Sequence, residues 1–216
     1  MVEPALMDAA FLLAPGRLEL RRVPVPRPAA GEVVVRVESA LTCGTDLKML
    51  RRGHAKLPLP AAFGHEFAGR IAAVGAGVRA FAGDDAVMCV PTAPCGECRH
   101  CMRGRGNLCA ATIGRMVLGA YAGYVLLPAH IVQQHLFPRP PHLSAAAAAA
   151  LEPLACVVHG AARAPLRDAE HAVIIGDGAI ALLFARVARL EGAARVLVLG
   201  RHETRLAVAQ ALEILA

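Results

Sequence analysis

Tryptophan is absent from this 216-residue chain, and aromatic residues of any kind supply only 4% of it. Hydrophobic residues nevertheless reach 56%, so the core must be built from small aliphatic side chains, alanine foremost. No apolar run approaches the ~18 residues that a membrane-spanning helix needs. The longest small-residue run, Ala145 to Ala150, is followed closely by Glu152 and Pro153. The N-terminus also lacks a basic region followed by an apolar stretch and a cleavage site, because Asp8 interrupts the candidate. No signal peptide is therefore expected, and the expected location is the cytoplasm. The net charge is +6, but no block of consecutive basic residues accompanies it; the densest pairs are Arg21-Arg22 and Arg51-Arg52. A solvated basic surface is expected rather than a nucleic-acid or membrane partner.

Cysteine is plentiful by comparison, at seven residues. Without an export signal, that number argues against a disulfide framework. Four of them, Cys95, Cys98, Cys101 and Cys109, fall in one short stretch. Cys-x2-Cys spacing brings two thiolates to one ion across a tight turn, and Gly104 and Gly106 let the chain fold back to deliver Cys109. Four thiolates fill a tetrahedral shell and leave no open position, the arrangement of a structural zinc. Such an ion would hold a lobe, about 91–112, that has too little apolar content to fold alone. The competing metal group is an iron–sulfur cluster. The first three cysteines match its spacing, but residue 105 is Arg and Cys109 is followed by Ala110, so its fourth ligand and proline are missing.

Short strands and turns are expected from about Leu18 to Pro140. Val33, Val35 and Val37 alternate on one face of 32–38, and 66–74, 86–90 and 123–127 read as further strands. Several short strands at this spacing suggest a barrel or sandwich. After Pro141 the pattern changes. Ser144 is a candidate N-cap for a helix running to about Ala162, distorted at Pro153. An apolar strand, Val173 to Ile175, is followed by Gly176-Asp177-Gly178 and a helix over 179–191. A second strand, 195–199, leads to a third helical stretch near 203–215. This is the opening of a parallel α/β sheet. Only two of its strands are present, so the chain reads as incomplete, with an apolar edge expected near Val196 and Val198.

Three further fragments sit around the cysteine lobe: Cys43-Gly44-Thr45-Asp46, Gly64-His65-Glu66-Phe67-Ala68-Gly69, and Leu151-Glu152-Pro153-Leu154. Singly each is weak. Together, in this order, they resemble the zinc-dependent medium-chain dehydrogenases, closest to the sorbitol- and threonine-dehydrogenase-like branch. The resemblance covers about 17–213. It implies a GroES-like β-barrel catalytic domain over 1–143, a connecting helix region over 144–168 and a partial Rossmann domain over 169–216, C-terminally truncated. It also implies Cys43, His65 and Glu152 as ligands of a catalytic zinc, with Glu66 as an alternating ligand or a partner of those ligands. One position stays open for water or substrate. Thr45 resembles the hydroxyl that takes the alcohol's proton. Many relatives carry a relay histidine where this chain has Lys48.

Gly176, Gly178 and Ala181 form a glycine-rich turn between strand and helix, the context in which a pyrophosphate sits on a helix N-terminus. NAD enzymes usually end the second strand with an acid on the ribose hydroxyls. Gly200 stands there instead and Arg201 follows, which favours NADP over NAD. The resemblance thus implies hydride transfer from a secondary alcohol or polyol to NAD(P), by a protein that is a homo-oligomer when full length. The alternative is an inactive, zinc-stabilised fragment lacking the nicotinamide half of the site, with little or no turnover of its own.

Overall fold

The computed structural model describes residues 5–167, 169–212 and 214. The chain divides into two compact units, Met1–Leu151 and Glu152–Ala216.

In the first unit β1 (Leu6–Ala14) and β2 (Arg17–Pro24) form a hairpin through Pro15-Gly16. Then come β3 (Val33–Leu41), α1 (Gly44–Arg52), β4 (Ala61–Ala62), β5 (Glu66–Val74), β6 (Ala86–Cys89), β7 (Tyr124–Leu127), α2 (Ala129–His135), β8 (Leu136–Pro138) and α3 (Ala145–Ala149). β1 begins well before the first strand expected from the pattern. Its buried side chains include Ala9 and Ala10, on opposite faces, at 2% and 7% exposure, and alanine is a weak strand former. Leu12, fully buried, anchors it.

The strands make two antiparallel sheets, β7-β3-β5-β6-β8 and β2-β1-β4. The expected barrel takes the form of these two sheets joined by the 119–123 segment, not closed by a continuous ladder. Ala9 bridges Ala122, the Ala10 N–H donates to the Tyr121 carbonyl at 2.9 Å, and the Val37 N–H donates to the Gly123 carbonyl at 3.0 Å. Val33 and Val35 share a buried cluster with Phe67, Val125, Leu127 and Ile131, and Val37 packs against it, as the alternation predicts. Val34, on the opposite face, is equally buried at 1% exposure, so both faces of β3 are covered.

The single helix expected over 144–162 is two helices. Ser144 caps α3, its Oγ accepting from the Ala147 N–H at 3.2 Å. Ala148 and Ala149 then lie flush on Ala68 of β5. The helix stops at Ala150, and α4 (Leu151–Ala161) begins immediately. Pro153 explains the break. Its ring would strike the carbonyl of residue 149 in a continuous helix, whereas in the first turn of a new one its missing N–H costs nothing.

The second unit continues with β9 (His171–Ile175), α5 (Ala179–Leu190), β10 (Arg195–Leu199) and α6 (Glu203–Ala211). β9 and β10 pair in parallel, and the continuous apolar character of both strands suits a parallel sheet. Val196 and Val198 are 1% exposed and pack with Ala185, Ala188 and Ala209. β10, which carries these valines, pairs only with β9 among the described residues, while the Val196 and Val198 side chains themselves face the helices. The exposed apolar side chains of this sheet are Val173 at 57%, Ile175 at 87% and Leu199 at 47%, which period-2 alternation places on the opposite face. Among the described residues no helix is long and apolar enough to cross a membrane.

Candidate functional site

β3 and β5 pair in antiparallel register with Leu41 opposite Glu66. The chain leaving β3 therefore passes beside the chain entering β5, and Cys43 arrives next to His65 and Glu66. One donor atom from each of these three residues lies within 4.8 Å of the others. Two neighbours on a regular strand point to opposite faces. Here His65 precedes the strand, after Gly64 at φ +84°, so both side chains can turn to one point. A Cβ at Gly64 would also come 2.9 Å from the Tyr121 ring, which adds a second reason for glycine.

Cys43 caps α1. Its sulfur accepts from the Thr45 N–H at 3.4 Å, while the Asp46 Oδ2 accepts from the Cys43 N–H at 2.9 Å, so two unpaired helix-end groups are satisfied reciprocally. Asp46 also reaches the His65 Nδ1 at 3.0 Å and receives the Tyr121 hydroxyl at 2.8 Å. Asp46, His65 and Glu66 are only 2%, 3% and 4% exposed. Burial would raise the Asp46 carboxyl, but the His65 ring, the Cys43 N–H and the Tyr121 hydroxyl together hold it below its usual range. An ionised Asp46 fixes the proton on Nδ1 and leaves Nε2 as the lone-pair side, the orientation a metal-binding histidine needs. Burial pushes the Cys43 thiol up, and Thr45 offsets part of this. Burial likewise pushes the Glu66 carboxyl up. Thiolate, imidazole and carboxylate are the donors zinc favours, so these residues fit that ion.

The cysteine lobe is a second donor group. The sulfurs of Cys95, Cys98, Cys101 and Cys109 all lie within 4.8 Å of one another. Cys98 and Cys101 are 3.5 Å apart and Cys95 and Cys101 3.9 Å. Zinc–sulfur bonds of ~2.3 Å in a tetrahedron separate sulfurs by about 3.8 Å, so the four fit one zinc. The Cys95 N–H points at the Cys109 sulfur at 3.4 Å and, with other backbone donors, pulls that thiol down to about 6. Burial and the neighbouring sulfurs push Cys101 up to about 11. Cys89, by contrast, is buried in the main core, and burial raises its thiol strongly.

Glu152 lies in the first turn of α4, at the start of the second unit. In that unit Gly176, at φ +132°, ends β9. Gly178 caps α5 without any side-chain hydrogen bond, and Ala181 lies in the first turn of α5. Gly200 and Arg201 follow β10, and Arg201 is exposed.

Residues 29–138 match the alcohol dehydrogenase GroES-like domain. The chain belongs to that family, among the zinc-dependent medium-chain dehydrogenases. It is 34% identical over 208 residues to L-threonine 3-dehydrogenase from Coxiella burnetii, covering 94% of this chain and 59% of that protein. It is 35% identical over 213 residues to D-altritol 5-dehydrogenase from Agrobacterium fabrum, covering 94% of this chain and 61% of that protein. Among solved structures, a zinc-binding dehydrogenase from Sinorhizobium meliloti 1021 bound to NADP superposes with a TM-score of 0.87 at 34% identity, over 98% of this chain and 60% of that one. The chain thus spans about three-fifths of the length of these relatives.

Two residues that brace the candidate donor set escaped the sequence reading. Asp46 carried a usable signal: an acid three residues after a capping residue is the spacing of a capping box. Tyr121 carried none, because 75 residues separate it from Asp46.

Proposed function

We propose that this chain supplies the metal-holding and adenosine-binding parts of a zinc- and NADP-dependent dehydrogenase that oxidises a secondary alcohol or polyol. The observation that carries the reading is the pairing of two unlike donor groups: a closed set of four sulfurs, and a Cys43–His65–Glu66 set, half-buried at the cysteine and buried at the other two, backed by Asp46. A closed thiolate shell is structural, whereas a mixed set with an open position is catalytic. When bound, zinc supplies a Lewis acid that lowers the pKa of an alcohol. By the family resemblance Glu152 would be a further donor to that ion, and Glu66 an alternating donor or a partner of the other donors. Asp46 keeps the His65 ring in one tautomer and one orientation. Thr45, bonded to Cys43 at the head of α1, takes the proton from the substrate oxygen. Lys48, one turn along and exposed, stands where many relatives carry the relay histidine, so the proton leaves by another route: water, His54 or another group.

Gly176 and Gly178 hold the pyrophosphate against the uncapped N-terminus of α5. Gly200 and Arg201 favour a 2′-phosphate, and the NADP carried by the Sinorhizobium meliloti relative supports that choice. The threonine and altritol dehydrogenases among the relatives support a hydroxyl-bearing small molecule as substrate. With them goes a cytoplasmic protein that assembles with its own copies when full length.

Elemental mass spectrometry of the purified protein tests the reading. About two zinc ions per chain are expected, one lost in Cys43→Ala and the other in Cys98→Ser. A single zinc that leaves with Cys98→Ser, or iron with sulfide, overturns it.

A further inference from the structure

The glycine turn after β9 has an acid at its centre, Asp177. A carboxylate facing a pyrophosphate there would repel it. The side chain faces the end of β10 instead and is 8% exposed. Its Oδ2 accepts from the Arg201 N–H at 2.7 Å and the His202 N–H at 2.9 Å. The His202 Nδ1 lies 2.8 Å from the same oxygen, and the Arg205 guanidinium lies 3.4 Å from Oδ1. These contacts, the Arg201 N–H foremost, hold the Asp177 carboxyl far below the usual carboxylate range. Asp177 is thus fastened to the turn that leads into α6.

Gly200 gives an independent observation. A Cβ on residue 200 would lie 2.5 Å from the Asp177 Cβ and 2.6 Å from its Oδ2. Asp177 fills the space that a side chain at the end of β10 would need. That position is where an acid binds the ribose hydroxyls when the cofactor is NAD. No acid can stand there while Asp177 does. Asp177 does not replace it, because its own oxygens are already engaged by the Arg201 and His202 N–H groups, the His202 ring and Arg205. Around it Arg201, His202 and Arg205 are all exposed, so two guanidinium groups stand open to solvent beside a carboxylate whose oxygens are already engaged.

We propose that Asp177 is a positioning residue for cofactor choice: it excludes an acid at residue 200 and fastens the 201–205 turn so that Arg201 and Arg205 meet a 2′-phosphate. The inference rests on the NADP reading above. The selecting acid is relocated from the end of the second strand to the first glycine turn, and its sign of action is reversed, from binding ribose to denying ribose a partner.

The test is calorimetric titration of this 216-residue chain with adenosine 2′,5′-bisphosphate and with AMP, alongside Tm. The unsubstituted chain should bind the bisphosphate at least about tenfold more tightly, the scale of one charge-assisted contact. Asp177→Gly should bring the two affinities together, with AMP binding changed by less than about twofold. Asp177→Gly combined with Gly200→Asp should invert the preference. Asp177→Asn, which keeps the shape and one acceptor oxygen, should give an intermediate ratio, and it decides the matter if Asp177→Gly does not fold. Equal affinities in the unsubstituted chain would remove the NADP reading and this inference with it. A preference that survives in both Asp177 variants removes the inference alone. So does an equal weakening of both ligands with a lowered Tm, which would mark Asp177 as merely structural.

Discussion

In the cysteine lobe all four donors come from 95–109, and little else holds that stretch. Met102 is 75% exposed and Leu108 51%, and within 95–109 only Cys109 is buried. The Cys43–His65–Glu66 centre is assembled from the end of one strand, the start of another and a helix cap, and Asp46 and Tyr121 brace it from behind. In the proposed reading the lobe depends on its metal to hold together, whereas Cys43, His65 and Glu66 stand on strands and a helix that have buried apolar clusters of their own. In the proposed reading the same metal does two jobs, and burial of the surrounding chain separates them.

The largest expected effect lies in the lobe. Cys98→Ser should release its zinc and leave 91–112 open to protease, since structural zinc supplies ~10 kcal/mol or more to such a segment. Limited proteolysis with metal analysis reads this. A lobe as resistant as before would erase the contrast. Next is Asp46→Ala. It strips a buried histidine ring, a backbone N–H and a tyrosine hydroxyl of their common acceptor, and should cost ~3 kcal/mol in denaturant unfolding. Zinc affinity at Cys43 should fall about 10–100-fold in chelator competition, while the lobe keeps its ion. A loss of both ions together would show that the centres are one cooperative unit.

Tyr121→Phe is milder. The hydroxyl donates to Asp46 at 2.8 Å and lies 3.0 Å from the Leu41 carbonyl, and its removal should cost about 1 kcal/mol with both ions retained. The smallest effect belongs to Asp177, an ionic cluster held without metal. Its carboxyl is depressed in the folded chain. The stability it contributes is therefore complete above the unfolded value of ~3.9 and is lost as pH falls through the folded one. Asp177→Asn should flatten the acid side of a Tm-against-pH profile, with or without chelator. An unchanged acid side would show that the contacts at the β10–α6 turn contribute nothing to stability.

Strands β3, β5, β9 and β10 were legible because each carries a dense aliphatic pattern between turn residues. β1 was not, because alanine fills two of its buried positions and propensity says little about alanine in a strand. The two-helix break at Ala150 was half legible: Pro153 announced a distortion, and only the sheet beneath α3 decided which side of it the helix would abandon. His65 and Glu66 stood out as neighbours, but nothing local said that both face one point, since that depends on the positive φ of Gly64. Asp177 looked like a liability in a pyrophosphate turn until the structure showed it turned toward Gly200.

What the sequence determined by itself is whatever depends on near neighbours. The Cys-x2-Cys turns bring sulfurs together over a few residues, Ser144 caps a helix three residues on, and the glycine turn joins strand to helix. Tertiary structure decided what depends on distant segments meeting. The register of Leu41 against Glu66 brings Cys43 to His65, the 119–123 segment carries Tyr121 to Asp46, and the parallel pairing of β9 with β10 sets Asp177 against Gly200. Spacing along a chain records a local geometry. A buried hydrogen bond across 75 residues is recorded only in the packing that closes it, because many side chains together, and no single pattern, determine where the two ends meet.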